Sequence, residues 1–105
     1  MIARNEYPKL RNFIACSFHP DWDETAATYQ GVVDVDLAGE SPVYLRQIAA
    51  EIATLLASPV TNEELAKWLE LIGCYVILEA EGYTARSFIT MIGDRLRTIG
   101  TVAPS

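Results

Sequence analysis

The chain has 105 residues, half of them hydrophobic, with 14 acids against eight Lys and Arg and a formal net charge of −6. That length makes one domain with a single hydrophobic core, and that composition excludes a disordered tail. The charge excludes nucleic acid as a partner, because phosphate binding needs clustered Lys and Arg, and it excludes anionic membrane surfaces on the same ground.

Pro8 suits the first turn of a helix, where its missing N–H is not needed. Leu10, Phe13, Ile14 and Phe18 then recur at helical spacing, and Pro20 ends the run because the residue before a proline resists the helical region. Asp21-Trp22-Asp23-Glu24 fits a capping pattern for a second helix, with an acid at the cap and Glu three residues on. Tyr29, Val32, Val33 and Leu37 continue on one face. Val33-Asp34-Val35-Asp36-Leu37 also alternates like a strand, but helix is the better reading, split near Gly31 and closed at Gly39.

Ser41 caps a third helix with Pro42 at its first position and Leu45, Ile48, Ile52, Leu55 and Leu56 as its stripe. Ser58-Pro59 stops it. Thr61-Asn62-Glu63-Glu64 is a capping box for a fourth helix, with Leu65, Trp68, Leu69 and Ile72 on its core face and Gly73 in the left-handed position after it. The apolar run at 74–78 fits either a short strand or a buried helical turn. Glu79-Ala80-Glu81-Gly82 is a turn. Thr84 caps a last helix carrying Phe88, Ile89, Ile92, Leu96 and Ile99, with Gly93 in its interior at a cost of about 1 kcal/mol relative to Ala. Arg95 and Arg97 suit its C-terminal end, and residues 101–105 are expected to fray. The sum is an all-α single-domain bundle of about five short helices, with the second and third as antiparallel neighbours.

The only histidine, His19, and Cys16 three residues before it share a helical spacing, which supports a helix-end role for His19 more than nucleophilic catalysis. Acids at a helix start are capping groups more often than glycosidase pairs. No metal-ligand spacing and no Gly-rich phosphate loop occurs, so no catalytic residue, metal or cofactor is assigned, and a small-molecule ligand is not expected. Cys16 and Cys74 lack metal spacing and read as two buried or half-buried free thiols. No apolar run approaches the roughly 20 residues of a membrane span, and the first residues lack a signal-peptide apolar core, so a cytoplasmic location is expected.

One section stands apart. No Lys or Arg occurs between Arg11 and Arg46, while Asp21, Asp23, Glu24, Asp34, Asp36 and Glu40 all fall inside. Such a section fits a basic protein partner, with complementary charge speeding encounter. Trp68 sits in a helix stripe and reads as core. Trp22 lies among acids, outside any clean stripe, and reads either as an interface anchor or as a staple between the first two helices. The partner-binding candidates are Asp21, Trp22, Asp23, Glu24, Asp34 and Asp36. A helical adaptor or regulatory binding protein and a His19/carboxylate enzyme are the alternatives.

Tyr7-Pro8-x-Leu10-x-x-Phe13, followed by Phe18-His19-Pro20-Asp21-Trp22-Asp23, resembles the opening of the CdiI-type immunity proteins of bacterial contact-dependent growth inhibition systems. Glu51-Ile52-x-x-Leu55-Leu56, Thr61-Asn62-Glu63-Glu64-Leu65, Leu71-Ile72-Gly73-Cys74-Tyr75 and Thr84-x-x-x-x-Phe88-Ile89 are similar to its later helices in order. Pro20 stands where a Gln is usual and Phe88 where a Trp is usual. The resemblance implies an all-α fold, a bacterial cytoplasm, and binding to a cognate toxin C-terminal domain; such toxins are often nucleases, and a nuclease's basic surface would complement the acidic section.

Overall fold

The computed structural model describes residues 6–74 and 76–102. Among them are five α-helices and no strand: α1 (Pro8–Ser17), α2 (Tyr29–Ala38), α3 (Pro42–Ala57), α4 (Asn62–Leu71) and α5 (Ala85–Val102). The all-α expectation holds. The last helix is the hub, packing against α2, α3 and α4, while α1 lies on α3 and touches α2. The core is continuous, from Leu10 and Ile14 through Val33, Ile48, Leu55 and Trp68 to Phe88 and Ile92. Each such side chain contributes about 1.5–3 kcal/mol by leaving water. Gly93 lies where a Cβ would stand 3.3 Å from Ile52 Cγ2, so its missing side chain lets α5 approach α3 closely.

Three helix starts follow local chemistry. Ser41 Oγ accepts from Tyr44 N–H, the Thr61–Glu64 box is complete, and Thr84 Oγ1 accepts from Ser87 N–H at 3.1 Å. The end of α4 is a Schellman turn, with Cys74 N–H on Leu69 C=O, Gly73 N–H on Glu70 C=O, and Gly73 at φ 88°.

Other helix ends are closed from a distance. Tyr7 precedes α1 with a left-handed backbone (φ 55°) and offers no capping side chain. The Glu51 carboxylate of α3 does so instead, accepting from Leu10 N–H at 2.9 Å and Lys9 N–H at 3.3 Å. Glu81, from a 3₁₀ turn at Leu78–Glu81, accepts from Tyr29 N–H at the start of α2 at 2.9 Å. Asn62 Oδ1 accepts from Arg86 N–H at the start of α5 at 2.8 Å, and the Arg86 guanidinium donates to Leu56 and Val60 C=O at the end of α3.

Several expectations are corrected. Asp21 caps nothing: Trp22–Glu24 is a lone 3₁₀ turn, and α2 begins later, at Tyr29, capped by Thr28. The break therefore precedes Gly31 rather than falling at it. Gly31 sits inside the first turn of α2, where a Cβ would meet Ala26 Cβ at 2.9 Å. Gly39 closes α2 in a right-handed conformation, φ −89°, which any residue can adopt. Helices α2 and α3 share little contact, because both pack on α5 instead of on each other. The segment after Gly73 is neither strand nor helix at Cys74, Val76 and Ile77, and Tyr75 lies outside the described residues. Arg95 and Arg97 are not in the last turn of α5, which runs on to Val102. Of the fraying expected at 101–105, positions 103–105 lie outside the described residues. Cys16 is exposed rather than buried, and Cys74 is half-buried as expected.

Candidate partner-binding surface

Phe18-His19-Pro20-Asp21-Trp22 builds the turn that displays the first three acids. Phe18 is fully buried and anchors one end, edge-on to Phe88 at 5.1 Å and to Tyr29 at 5.9 Å. His19 turns the chain, its Nδ1 accepting from Asp21 N–H at 3.1 Å and its C=O accepting from Trp22 N–H at 3.0 Å. This is the helix-end role expected of it. Trp22 closes the turn on Tyr29, rings edge-on at 4.8 Å, and remains half-exposed. It therefore staples the turn to α2 while still presenting ring surface. Asp21, Asp23 and Glu24 are exposed.

Tyr29 is the pivot behind that turn. Its ring also stacks on Tyr83, and its hydroxyl donates to Ile77 C=O at 2.9 Å while accepting from Ile77 N–H at 3.1 Å. Burial raises the phenol above its usual value; the hydrogen bond to Ile77 C=O pulls the other way, and the Glu81 carboxylate adds to the rise. Trp68 is core, 1% exposed, as expected.

The remaining acids part company. Asp34 points toward α5 and pairs with Arg95 at 2.6 Å. Asp36, two residues on and so far round the helix, faces the other way. It lines a groove of roughly 330 Å³ between α1, α2 and α3, with Glu40, Asn12 and Tyr44. Burial raises the Tyr44 phenol, and Glu40 pushes in the same direction. The six candidates thus form an exposed turn, a neutralised pair and a groove wall. Glu40 belongs to the groove with Asp36; its signal in the sequence was its place inside the cation-free section. Among the described residues no three His, Cys, Asp or Glu side chains converge as a metal site, and no helix is long and apolar enough to cross a membrane.

The candidate surface is thus a tryptophan-anchored acidic turn on an all-α fold, beside a helix whose Asp34 is paired with Arg95 and whose Asp36 faces a groove. Residues 6–96 match the CdiI immunity protein family, and the chain belongs to that family. Its fold is similar to that of a chain in the crystal structure of the CdiA-CT/CdiI complex from Y. kristensenii 33638, with a TM-score of 0.78 and 22% identity over 88% of this chain and 99% of that one. A comparison with curated proteins finds no match.

Proposed function

We propose that this chain binds a cognate contact-dependent growth inhibition toxin domain in the bacterial cytoplasm and neutralises it by covering its active site, without catalysis of its own. Membership of the immunity family supports the toxin as partner, and the similar fold comes from a CdiA-CT/CdiI complex. The observation that carries the surface assignment is the cation-free section. Asp21, Asp23 and Glu24 project from a turn whose shape is held by Phe18, His19 and Trp22, so they meet a partner with little further ordering. A nuclease toxin fits, since nucleases carry basic surfaces around their sites and acids complement them. Trp22 is the anchor. Asp34 contributes least, because Arg95 already offsets its charge.

The test is calorimetry with the C-terminal domain of the cognate toxin, at low and high salt. One-to-one binding whose association rate falls as salt rises is expected. Binding that ignores salt would move the interface to apolar residues, and no binding to a folded toxin domain would remove the immunity reading for that pair.

A further inference from the structure

We infer that Ile77 is a second apolar anchor for the toxin domain and that Tyr29 is the positioning residue that sets it beside Trp22, an inference that rests on the toxin-binding reading. Ile77 is 69% exposed, more than Val35, Val43 or Leu71, the other large hydrophobics exposed among the described residues. A single exposed aliphatic is ordinary. This one differs because the fold holds it out. Its N–H donates to the Tyr29 hydroxyl at 3.1 Å, and its C=O accepts from that hydroxyl at 2.9 Å and from Ala80 N–H at 3.0 Å. Its backbone is extended, with φ −104° and ψ 98°. Successive residues of an extended chain face opposite sides, and Val76 and Leu78 both pack against the core, so Ile77 faces outward.

Tyr29 joins this loop to the acidic turn. Its buried ring meets Trp22 while its hydroxyl holds Ile77, so two residues far apart in the chain stand one tyrosine side chain apart. Tyr83 stacks on the same ring, and Glu81 accepts from the Tyr29 N–H. Turn and loop are therefore fixed to each other before any partner arrives, and little order is left to lose on binding.

The partner that fits is a basic protein surface with an apolar recess. No Lys or Arg occurs between Lys67 and Arg86, while Glu70, Glu79 and Glu81 fall inside that stretch. Two cation-free sections, distant in the chain, thus meet at Tyr29. Glu79 is exposed two residues from Ile77, as Asp21 and Asp23 are exposed on either side of Trp22. Apolar anchors with charges around them have the layout of an interface core and its polar rim. The acids speed encounter with a basic toxin domain, and the anchors slow its departure. A second copy of this chain fits worse, because it would set like charges against each other.

The test compares wild type, Ile77→Ala, Tyr29→Phe and the double variant for binding rates with the C-terminal domain of the cognate toxin. Ile77→Ala should raise the dissociation rate about tenfold and leave the association rate and its salt dependence unchanged, since an apolar contact acts after the charges have met. Val43→Ala, comparably exposed on α3, should change neither rate. Tyr29→Phe keeps the ring against Trp22 and loses the hold on Ile77, so it should raise the dissociation rate several-fold. In that background Ile77→Ala should add no more than about twofold, because an anchor no longer held contributes little. A Tyr29 that serves stability alone would make the two changes multiply, and that result overturns the positioning role. Amide exchange in wild type checks the same point without a variant: an Ile77 N–H that exchanges as fast as an unstructured one overturns the hold. Ile77→Ala that matches wild type in both rates overturns the anchor and spares the immunity reading. A free chain that sediments as a dimer, and as a monomer in Ile77→Ala, assigns the residue to a self-interface and overturns the anchor as well. A folded toxin domain that does not bind wild type removes the immunity reading for that pair, and the anchor with it.

Discussion

Removing the Glu51 side chain should uncap a helix that lies 41 residues away in sequence. Pro8 has no N–H, so three N–H groups at the start of α1, those of Tyr7, Lys9 and Leu10, lack a partner within the helix, and the Tyr7 side chain cannot supply one. Glu51 satisfies two of them with one carboxylate, and its negative charge sits at the positive end of the helix dipole. A lost cap costs about 1 kcal/mol, and hydrogen bonds to a charged group are worth about 1.5–3 kcal/mol. The 3.3 Å bond to Lys9 is long and adds little. Glu51 is half-buried, so water re-solvates part of what is exposed. Together these place Glu51→Ala near 2 kcal/mol, a large share of the roughly 5–15 kcal/mol that holds a domain of this size. Glu51→Gln keeps an acceptor and loses the charge, so about half that loss is expected. Urea unfolding reads the difference: with a slope of about 1–3 kcal/mol per molar, the midpoint should fall by roughly 1 M with the slope unchanged. Amide exchange should quicken first at Lys9 and Leu10. If Glu51→Ala lies within about 0.5 kcal/mol of wild type, the distant cap is not what holds α1, and the reasoning is wrong.

Two further outcomes can be checked on the same footing. Burial pushes the Cys74 thiol from 9.0 up to about 12 and raises Tyr29, Tyr44 and Tyr83 above 10.0. These groups are neutral when protonated, so above about pH 9 the unfolded chain holds fewer protons than the folded one; the stabilisation, full below that pH, is lost as pH rises through the folded values. Urea midpoints should therefore fall steadily between about pH 9 and 11, and less steeply in Cys74→Ala; a flat profile would contradict the burial argument. Two glycines of one helix should respond with opposite sign. Gly31→Ala brings a methyl to 2.9 Å from Ala26 Cβ and should cost about 1–3 kcal/mol, whereas Gly39→Ala, whose methyl meets only Asp36 C=O at an ordinary 3.9 Å and whose φ is −89°, should gain about 0.4–1 kcal/mol. Thermal melts that rank them the other way refute the close approach at Gly31.

The parts of this fold that were legible in sequence are mostly those whose partners lie within a turn of each other, although Thr28, which accepts from Gly31 N–H in the same way, was passed over for Asp21. Ser41, Thr61 and Thr84 accept from the third residue on, so their motifs announce three helix starts unaided. The starts of α1 and α2 are completed by Glu51 and Glu81, and nothing local marks those acids as caps. That is why Asp21, an acid in the right local grammar, was read as the cap that Thr28 and Glu81 supply. The hydrophobic stripes were readable because burial repeats with the helical period. Which helices touch was not, because α2 and α3 both pack on α5 and only the docked arrangement shows it. The acidic section was visible as charge. Its division was invisible for the same reason: Asp34 and Asp36 differ only in which neighbour each side of α2 meets.

Nine of the carboxylates fall into two groups. Glu51 and Glu81 hold helix ends, Glu64 closes the capping box with Thr61, and Asp34 ties α2 to α5. The side chains of Asp21, Asp23, Glu24, Asp36 and Glu40 hold no described residue in place. The first group is locked by the fold, since each loss strands a backbone N–H or a cation. The second can be exchanged at small cost in stability, because surface substitutions away from structural contacts usually stay within about 0.5 kcal/mol. That exposed acidic face can therefore change its charge while the helices beneath it keep their places.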